Sequence, residues 1–131
     1  MIGVLVATHG LLAKELLNSA AMLVGEGVQI GSVCLVPGQD PDDFLQKCEE
    51  AVNALDTGEG IVALVDIPGG TPNNTMFRLS MTHKIRIVTG VNLPMILISV
   101  LERYDGMTDE ELVSTLMENG KNEIIEFGKR N

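Results

Sequence analysis

The sequence predicts an α/β fold, in which a doubly wound, mostly parallel four-stranded sheet has helices on both faces. Short apolar runs alternate along the chain with stretches of helical periodicity, the order typical of this fold class. The runs Ile2–Ala7 and Ile61–Val65 are nearly continuous, as expected of parallel strands covered on both faces. The chain also has 14 glycines in 131 residues, which suits tight turns between strands and helices.

Four strands are predicted, at Ile2–Ala7, Gln29–Val36, Ile61–Val65 and Ile85–Val88. The last of them contains Arg86, so we expect it to lie near an edge of the sheet, where a charged side chain reaches water. The core between sheet and helices should be aliphatic, because the chain has no Trp, 1 Tyr and 3 Phe.

Five helices are predicted: from Leu12 to Leu23, from Asp40 to about Leu55, from Thr71-Pro72 onward, over Leu93–Arg103, and from Thr108 to Asn119-Gly120. The first has apolar residues spaced for one helix face. The second has acids in its first turn, where the helix dipole favours them. Thr108–Glu111 is a capping box, and we expect Asn119-Gly120 to end the fifth helix.

The segment Glu123–Phe127 allows two interpretations. Its apolar residues could close a helix, but β-branched residues and Phe favour a short strand, which could join this sheet or that of a neighbouring subunit. No repeat, linker or low-complexity tract interrupts the chain. Residues 1–131 are therefore predicted to form a single domain.

Charge and composition make some functions improbable, above all binding to nucleic acid and spanning a membrane. The net charge of −9 opposes binding to nucleic acid and favours a basic protein partner. Cys34 and Cys48 form no CxxC pair, which indicates a reducing compartment. The chain begins directly with a strand and no basic leader, and its longest apolar run, Met95–Leu101, is too short to span a bilayer. We expect a cytoplasmic protein.

Polar residues follow the predicted strands at the ends where ligands bind in α/β sheets. The first strand leads into Thr8-His9-Gly10, and the third leads into Asp66. If these strands are neighbours, His9 and Asp66 lie side by side. A carboxylate that accepts the proton of one imidazole nitrogen leaves the other nitrogen free as a nucleophile. Taken singly, His9 could be a packing residue and Asp66 a turn cap.

The turn after Asp66 predicts an anion site. Gly69 and Gly70 would let backbone N–H groups turn inward, with Thr71 as N-cap and Pro72 at the first helical position. A helix N-terminus with free N–H groups and a hydroxyl binds anions, most naturally a phosphoryl group. His9, Asp66 and Thr71 are therefore the candidate catalytic residues, and Gly69 and Gly70 the candidate phosphate-binding residues.

Several common sites are missing from the sequence. There is no P-loop pattern, no dinucleotide fingerprint in its proper context and no zinc-ligand spacing. No Lys or Arg lies next to His9 or within Gly69–Asn74, so an ATP-type charge clamp is lacking there. We expect no cofactor and no metal. A site for one phosphoryl group without a site for ATP indicates a phosphoryl relay.

Three segments resemble one family: Ile2–Gly10, Val65–Asn74 and Thr89–Met95. In this order they resemble the IIA domain of the mannose-type phosphoenolpyruvate-dependent sugar phosphotransferase system, over essentially the whole chain. The resemblance implies that His9 accepts a phosphoryl group on Nε2 from the carrier protein HPr, with Asp66 bonded to Nδ1 and the Thr71 hydroxyl at the phosphoryl group. His9 would then pass the group to the IIB component, which serves the membrane components IIC and IID.

The resemblance also implies a homodimer that exchanges a C-terminal antiparallel strand, which would be Glu123–Phe127. No IIB domain follows in this sequence, so IIB is expected on a separate chain, unless this chain is a fragment. The transported sugar is not predicted, because the membrane components would select it.

The sequence favours the sugar-system IIA domain over three other functions. The related subunit that feeds dihydroxyacetone kinase is disfavoured by the Gly69–Asn74 and Asn92–Pro94 segments. A receiver-like signalling module would need acids at the end of the first strand, where His9 stands. A flavodoxin-like binder of a flavin or small ligand would need aromatic residues at the rim of the sheet.

Overall fold

A computed structural model, which describes residues 1–128, confirms the α/β prediction. Its strands are β1 (Gly3–His9), β2 (Ile30–Leu35), β3 (Ile61–Val65) and β4 (Ile85–Thr89). They form one sheet in the order β2-β1-β3-β4, and each neighbouring pair is parallel. β1 and β3 are therefore central neighbours, and β4 lies at an edge as Arg86 predicts.

The helices are α1 (Leu12–Val24), α2 (Pro41–Leu55), α3 (Thr71–Leu79), α4 (Leu93–Leu101) and α5 (Asp109–Asn122). α1, α4 and α5 pack on one face of the sheet, and α2 and α3 pack on the other. None of these helices, within residues 1–128, is long and apolar enough to cross a membrane. The predicted single domain includes residues 129–131, which lie outside the described residues, and it stays a prediction.

The sheet has one apolar core on each face, and the side chains of successive β1 residues point alternately into one core and the other. Val4 and Val6 face the core shared with α1, α4 and α5, whereas Leu5 and Ala7 face the core shared with α2 and α3. Both cores are aliphatic as predicted, since among the described residues Phe44 is the one buried aromatic side chain. The register of a strand that is buried on both faces is strongly specified. The position of His9, at the carboxyl end of β1, is therefore well defined.

The prediction that α5 ends at Asn119-Gly120 is wrong, because the helix continues to Asn122. Gly120 is buried inside it, where an added Cβ would lie 2.5 Å from Met95 Cε. Asn92, at the N-cap of α4, donates a hydrogen bond from Nδ2 to the Gly120 carbonyl at 2.9 Å. This glycine lets α5 approach α4 closely and does not stop the helix.

The predicted fourth helix was also too long, since α4 ends at Leu101 and not at Arg103. The Arg103 guanidinium is buried and donates to the carbonyls of Ser99, Ile2, Gln29 and Val28. These carbonyls belong to the end of α4 and to the segments entering β1 and β2. Arg103 thus joins the elements at the amino ends of the strands, opposite the His9 end.

Within this single chain, the prediction of a strand at Glu123–Phe127 is wrong. Glu123 caps α5, and residues 124–127 have no regular secondary structure. Ile124, Ile125 and Phe127 are exposed. A strand needs a neighbouring strand to pair its backbone groups, and this segment has none in the described chain. Its exchange between two chains stays a prediction.

Candidate functional site

The pairing of β1 with β3 brings His9 and Asp66 together. Ala7 lies opposite Val65 in this parallel pair, so the residues just beyond them reach the same edge of the sheet. His9 is the last residue of β1, and Asp66 follows the last residue of β3. The structure therefore confirms that these two predicted residues are neighbours.

His9 and Asp66 share a double hydrogen bond. The ring nitrogen Nδ1 of His9 lies 2.8 Å from Asp66 Oδ2. The backbone N–H of His9 donates to the same oxygen at 3.0 Å, and the backbone N–H of Ile67 donates to Asp66 Oδ1 at 3.0 Å. Both carboxylate oxygens thus have partners, and the imidazole is held relative to its own backbone.

Asp66 is an acceptor in this pair. Partial burial raises the pKa of Asp66, but the hydrogen bonds from the backbone and ring of His9 and from the Ile67 N–H outweigh burial and lower it below its ordinary value. An ionised carboxylate has no proton to donate, so the shared proton belongs to Nδ1. In the neutral ring Nε2 carries the free lone pair, and it has no hydrogen-bond partner among residues 1–128.

The glycine turn differs from its prediction in one respect. Gly70, and not Thr71, is the N-cap of α3, so Thr71 and Pro72 occupy the first two helical positions. No side chain caps this end, so the predicted capping role of Thr71 is wrong. The reason is that the backbone leaves its extended conformation only after Gly70, whose φ and ψ are −79° and 170°.

Contacts around Gly69 hold this turn in shape. Gly69 has a φ of +78°, a left-handed conformation that glycine adopts without strain. Asn74 donates from Nδ2 to the Gly69 carbonyl at 3.0 Å, and its backbone N–H donates to the Gly70 carbonyl at 2.9 Å. In the first turn of α3 the N–H groups of Thr71 and Asn73 have no acceptor within the helix, and Pro72 has no N–H group.

His9 and Thr71 line the same cleft, which has a volume of about 370 Å³. Its other wall is the connection from β2 to α2, including Val36 and Gln39. Gln39 holds that wall, since its Oε1 accepts the Val36 N–H at 3.1 Å and its Nε2 donates to Asp43 at 3.0 Å. Gly69 and Gly70 are not part of the lining. Gly70 instead lies against the edge of the His9 ring.

Sequence reasoning missed Thr8 as part of the site. Its buried Oγ1 accepts the backbone N–H of Ala13 at 2.8 Å. Leu11, the N-cap of α1, offers no side-chain hydrogen bond, so Thr8 supplies the missing partner from the preceding strand. This contact fixes the turn that directly follows His9. Because Thr8 is not at the N-cap, no capping pattern in the sequence could reveal it.

The other titratable candidates lie elsewhere. His83 lies just before β4, at the opposite end of the sheet from His9, and its side chain is 17% exposed, with Nε2 3.7 Å from Glu49 Oε2. Cys34 is half-buried, Cys48 is buried, and both are free. Burial raises the pKa of the Cys48 thiol to about 12. Among residues 1–128, no three His, Cys, Asp or Glu side chains are grouped so that they could hold a metal ion.

Comparison with known proteins identifies the family of this chain. The family model EIIA-man, described as "PTS system fructose IIA component", matches residues 3–117. The chain belongs to this IIA family of the phosphotransferase system. Members of the family are components of sugar transport by this system, and IIA components are in general phosphotransferases.

Two curated relatives illustrate the similarity. The mannose-specific EIIAB component of Escherichia coli is 34% identical over 121 residues, which are 92% of this chain and 38% of the relative. This chain thus spans well under half of that longer protein. The sorbose-specific EIIA component of Klebsiella pneumoniae is 36% identical over 98 residues, covering 74% of this chain and 71% of the relative.

Solved structures of IIA proteins share the fold. A phosphotransferase system component EIIA from Streptococcus agalactiae has a TM-score of 0.87 at 25% identity, covering 97% of this chain and 98% of that one. A IIA protein associated with the fucose utilization operon of Streptococcus pneumoniae has a TM-score of 0.81 at 30% identity, covering 95% of this chain and 91% of that one.

Proposed function

We propose that this IIA chain is a phosphohistidine relay, which accepts a phosphoryl group from phospho-HPr on His9 and passes it to a IIB component. The observation that carries the proposal is the 2.8 Å contact of His9 Nδ1 with Asp66 at the end of β1. Asp66 keeps the proton on Nδ1, so that Nε2 is the nucleophile.

In the proposed step, the lone pair of His9 Nε2 attacks the phosphorus atom held by the donor histidine. A new N–P bond forms while the N–P bond of the donor breaks, and the electron pair of that bond returns to the donor nitrogen. Positive charge develops on the His9 ring, and the Asp66 carboxylate stabilises it. The Thr71 hydroxyl and the first N–H groups of α3 hold the phosphoryl oxygens.

The surface around His9 suits a protein partner more than a small molecule. Leu11, Leu12, Val36 and Ile67 all stand exposed on segments next to His9 or Asp66. Apolar side chains grouped around a polar centre are typical of docking surfaces. No lysine or arginine lines the cleft in the described part of the chain, which disfavours a nucleoside triphosphate as donor.

The charge near the cleft supports a basic partner surface. Asp40, Asp42 and Asp43 stand at the start of α2, whose Pro41 lines the cleft beside His9. Acids at a rim steer a basic partner toward the site. Two carriers that visit one face in turn, HPr and IIB, would share such a surface. Through IIB the chain would serve sugar uptake by the membrane components IIC and IID, acting from the cytoplasm.

The proposal is tested by labelling the chain with phosphoenolpyruvate, enzyme I and HPr. Label should enter only when HPr is present, map to the Met1–Lys14 peptide, and be lost in acid but not in strong base. His9→Ala should take up no label, and His83→Ala, as the matched histidine control, should label like wild type. Label that is lost in hydroxylamine and base would assign an acyl phosphate instead. No label with active HPr would overturn the donor assignment.

We also propose that two chains form a dimer by exchanging the Glu123–Phe127 segment. β4 is an edge strand, and a groove beside it is lined by Val88, Thr89 and Ile124. Ile125 and Phe127 are exposed at 67% and 94% in the single chain, and strand pairing with a second copy would cover them. Sedimentation should show a dimer for the full chain and a monomer after truncation at Asn122, whereas a dimer in both would contradict the exchange.

A further inference from the structure

The backbone of Gly70 lies directly against the imidazole of His9. An added Cβ at this position would be 2.8 Å from His9 Cε1 and 3.3 Å from Ile67 Cγ1, whereas carbon atoms pack at about 3.5–4.0 Å. The φ of Gly70 is −79°, which residues with side chains also adopt. Glycine is therefore needed here for space and not for its backbone conformation.

We propose that Gly70 is a positioning residue, which leaves free the volume that the His9 ring occupies while its Nδ1 is bonded to Asp66. The inference rests on the proposed function, and it gives Gly70 a different role from the phosphate binding that its sequence predicts. The position of the His9 ring is thus limited in two ways: the backbone of Gly70 lies against Cε1, and Asp66 is bonded to Nδ1.

The contact is at a sensitive atom of the ring. Cε1 is bonded to both ring nitrogens, so a push on Cε1 moves Nδ1 relative to Asp66 and moves Nε2 relative to the cleft. The Nδ1 contact has a length of 2.8 Å, and a hydrogen bond weakens steeply when its distance and angle depart from the ideal. A methyl group at position 70 should therefore break this contact or displace Nε2.

The same methyl group should change folding little. The His9 side chain is 46% exposed, so the ring can rotate toward solvent without disturbing either core. Ile67 is exposed as well and can shift its outer atoms. The effect of Gly70→Ala is thus expected at the nucleophile and not in the stability of the domain.

The test combines a spectroscopic and a kinetic measurement on Gly70→Ala. In ¹H–¹⁵N spectra of the ring, wild type should show an Nδ1 proton protected by Asp66, and Gly70→Ala should lose that signal. Phosphorylation by phospho-HPr should slow by about 10- to 100-fold, the range expected for a displacement of about 1 Å. The melting temperature should stay close to that of wild type.

Two further variants isolate the ring contact. Gly31→Ala is the matched control, because its added Cβ meets nothing closer than Leu55 Cδ1 at 3.5 Å, and it should behave like wild type. Ile67→Ala/Gly70→Ala removes the crowding against Ile67, and it should keep the loss of rate and of the Nδ1 signal relative to Ile67→Ala, the single variant that accounts for any change in docking. Recovery in this double variant would overturn the proposal, because the strain would then lie at Ile67.

The proposal and the proposed function fail in different ways. If wild type takes up no label, the relay proposal is wrong. The role of Gly70 is then still tested by comparing the Nδ1 proton signals of wild type and Gly70→Ala. If wild type is labelled and Gly70→Ala keeps both its Nδ1 signal and its rate, the positioning role is overturned and the relay stands. Loss of the folded state in Gly70→Ala would also overturn it, by making the glycine a requirement of the fold.

Discussion

A single oxygen of Asp66 accepts two hydrogen bonds from His9, one from its ring Nδ1 at 2.8 Å and one from its backbone N–H at 3.0 Å. The carboxylate thus binds both ends of the same residue and fixes how the ring is turned relative to β1. A ring held in this way loses less entropy on reaching the transition state. The relay proposal depends on this relationship.

Asp66→Ala should slow phosphoryl transfer to His9 without abolishing it. The variant removes the acceptor that orients the ring and stabilises its developing charge, but it leaves Nε2 itself intact. Groups that orient metal-binding histidines typically contribute about 10- to 100-fold, and we expect a loss of about that size here in the single-turnover rate with phospho-HPr. Equal rates in Asp66→Ala and wild type would contradict the role of Asp66.

The Asp66 carboxylate should also make folding stability depend on acid. Although partial burial opposes it, hydrogen bonding lowers the pKa of Asp66 below the value of about 3.9 expected in the unfolded chain. The unfolded state therefore binds more protons, and stability falls as the pH falls. This contribution is complete above the unfolded-state pKa and is lost as the pH drops through the folded-state pKa.

Urea unfolding of wild type and Asp66→Asn from pH 7 to pH 2.5 measures this contribution. The difference in their free energies of unfolding should shrink as the pH falls below about 4. A difference that grows toward low pH would mean that the folded state raises this pKa.

Thr71→Ala should slow phosphoryl transfer to His9 but leave the free energy of unfolding nearly unchanged. Thr71 caps nothing in the structure, so the free energy of unfolding should change by less than about 0.5 kcal/mol. A hydrogen bond to a charged phosphoryl group is worth about 1.5–3 kcal/mol, which predicts transfer slowed by about 10- to 100-fold. Thr71→Ser keeps the hydroxyl and should transfer at nearly the wild-type rate. Unchanged kinetics in Thr71→Ala would remove Thr71 from the mechanism.

Gly120→Ala should destabilise the domain although it places a better helix former inside α5. The added Cβ would lie 2.5 Å from Met95 Cε and 3.0 Å from Met95 Cγ, and overpacking of this kind costs about 1–3 kcal/mol. The helix propensity gain of about 1 kcal/mol should dominate only when Met95 is shortened. Thermal unfolding of Gly120→Ala in wild-type and Met95→Ala backgrounds measures this, and stabilisation in the wild-type background would contradict the account.

The sequence was enough for the features that depend on local pattern. Apolar runs predict the four strands, and the rule that ligands bind at the carboxyl ends of parallel strands predicts that His9 and Asp66 belong to the site. Arg86 indicated the edge strand correctly. These predictions succeeded because a strand buried on both faces requires a continuous run of apolar residues, which is visible in the sequence.

Close contacts between segments that are far apart in the chain produce no local sequence pattern, so they could not be predicted. Gly70 and Gly120 follow the sequence patterns of a phosphate turn and a helix stop, but each is a glycine because another side chain, His9 or Met95, occupies the space. Thr8 caps a helix from a position that no capping pattern includes. The Glu123–Phe127 segment has the composition of a strand, but composition does not state which chain would pair with it.

The most direct test of the account is to find which nitrogen of His9 carries the phosphoryl group. The chain is labelled with ¹⁵N-histidine, phosphorylated by phospho-HPr, and examined by NMR in alkaline solution, with His83 as internal reference. We expect phosphorus coupling at Nε2 of His9 and a proton retained on Nδ1 beside Asp66. A phosphoryl group on Nδ1 would contradict the account, because that nitrogen would have to leave Asp66 in order to react.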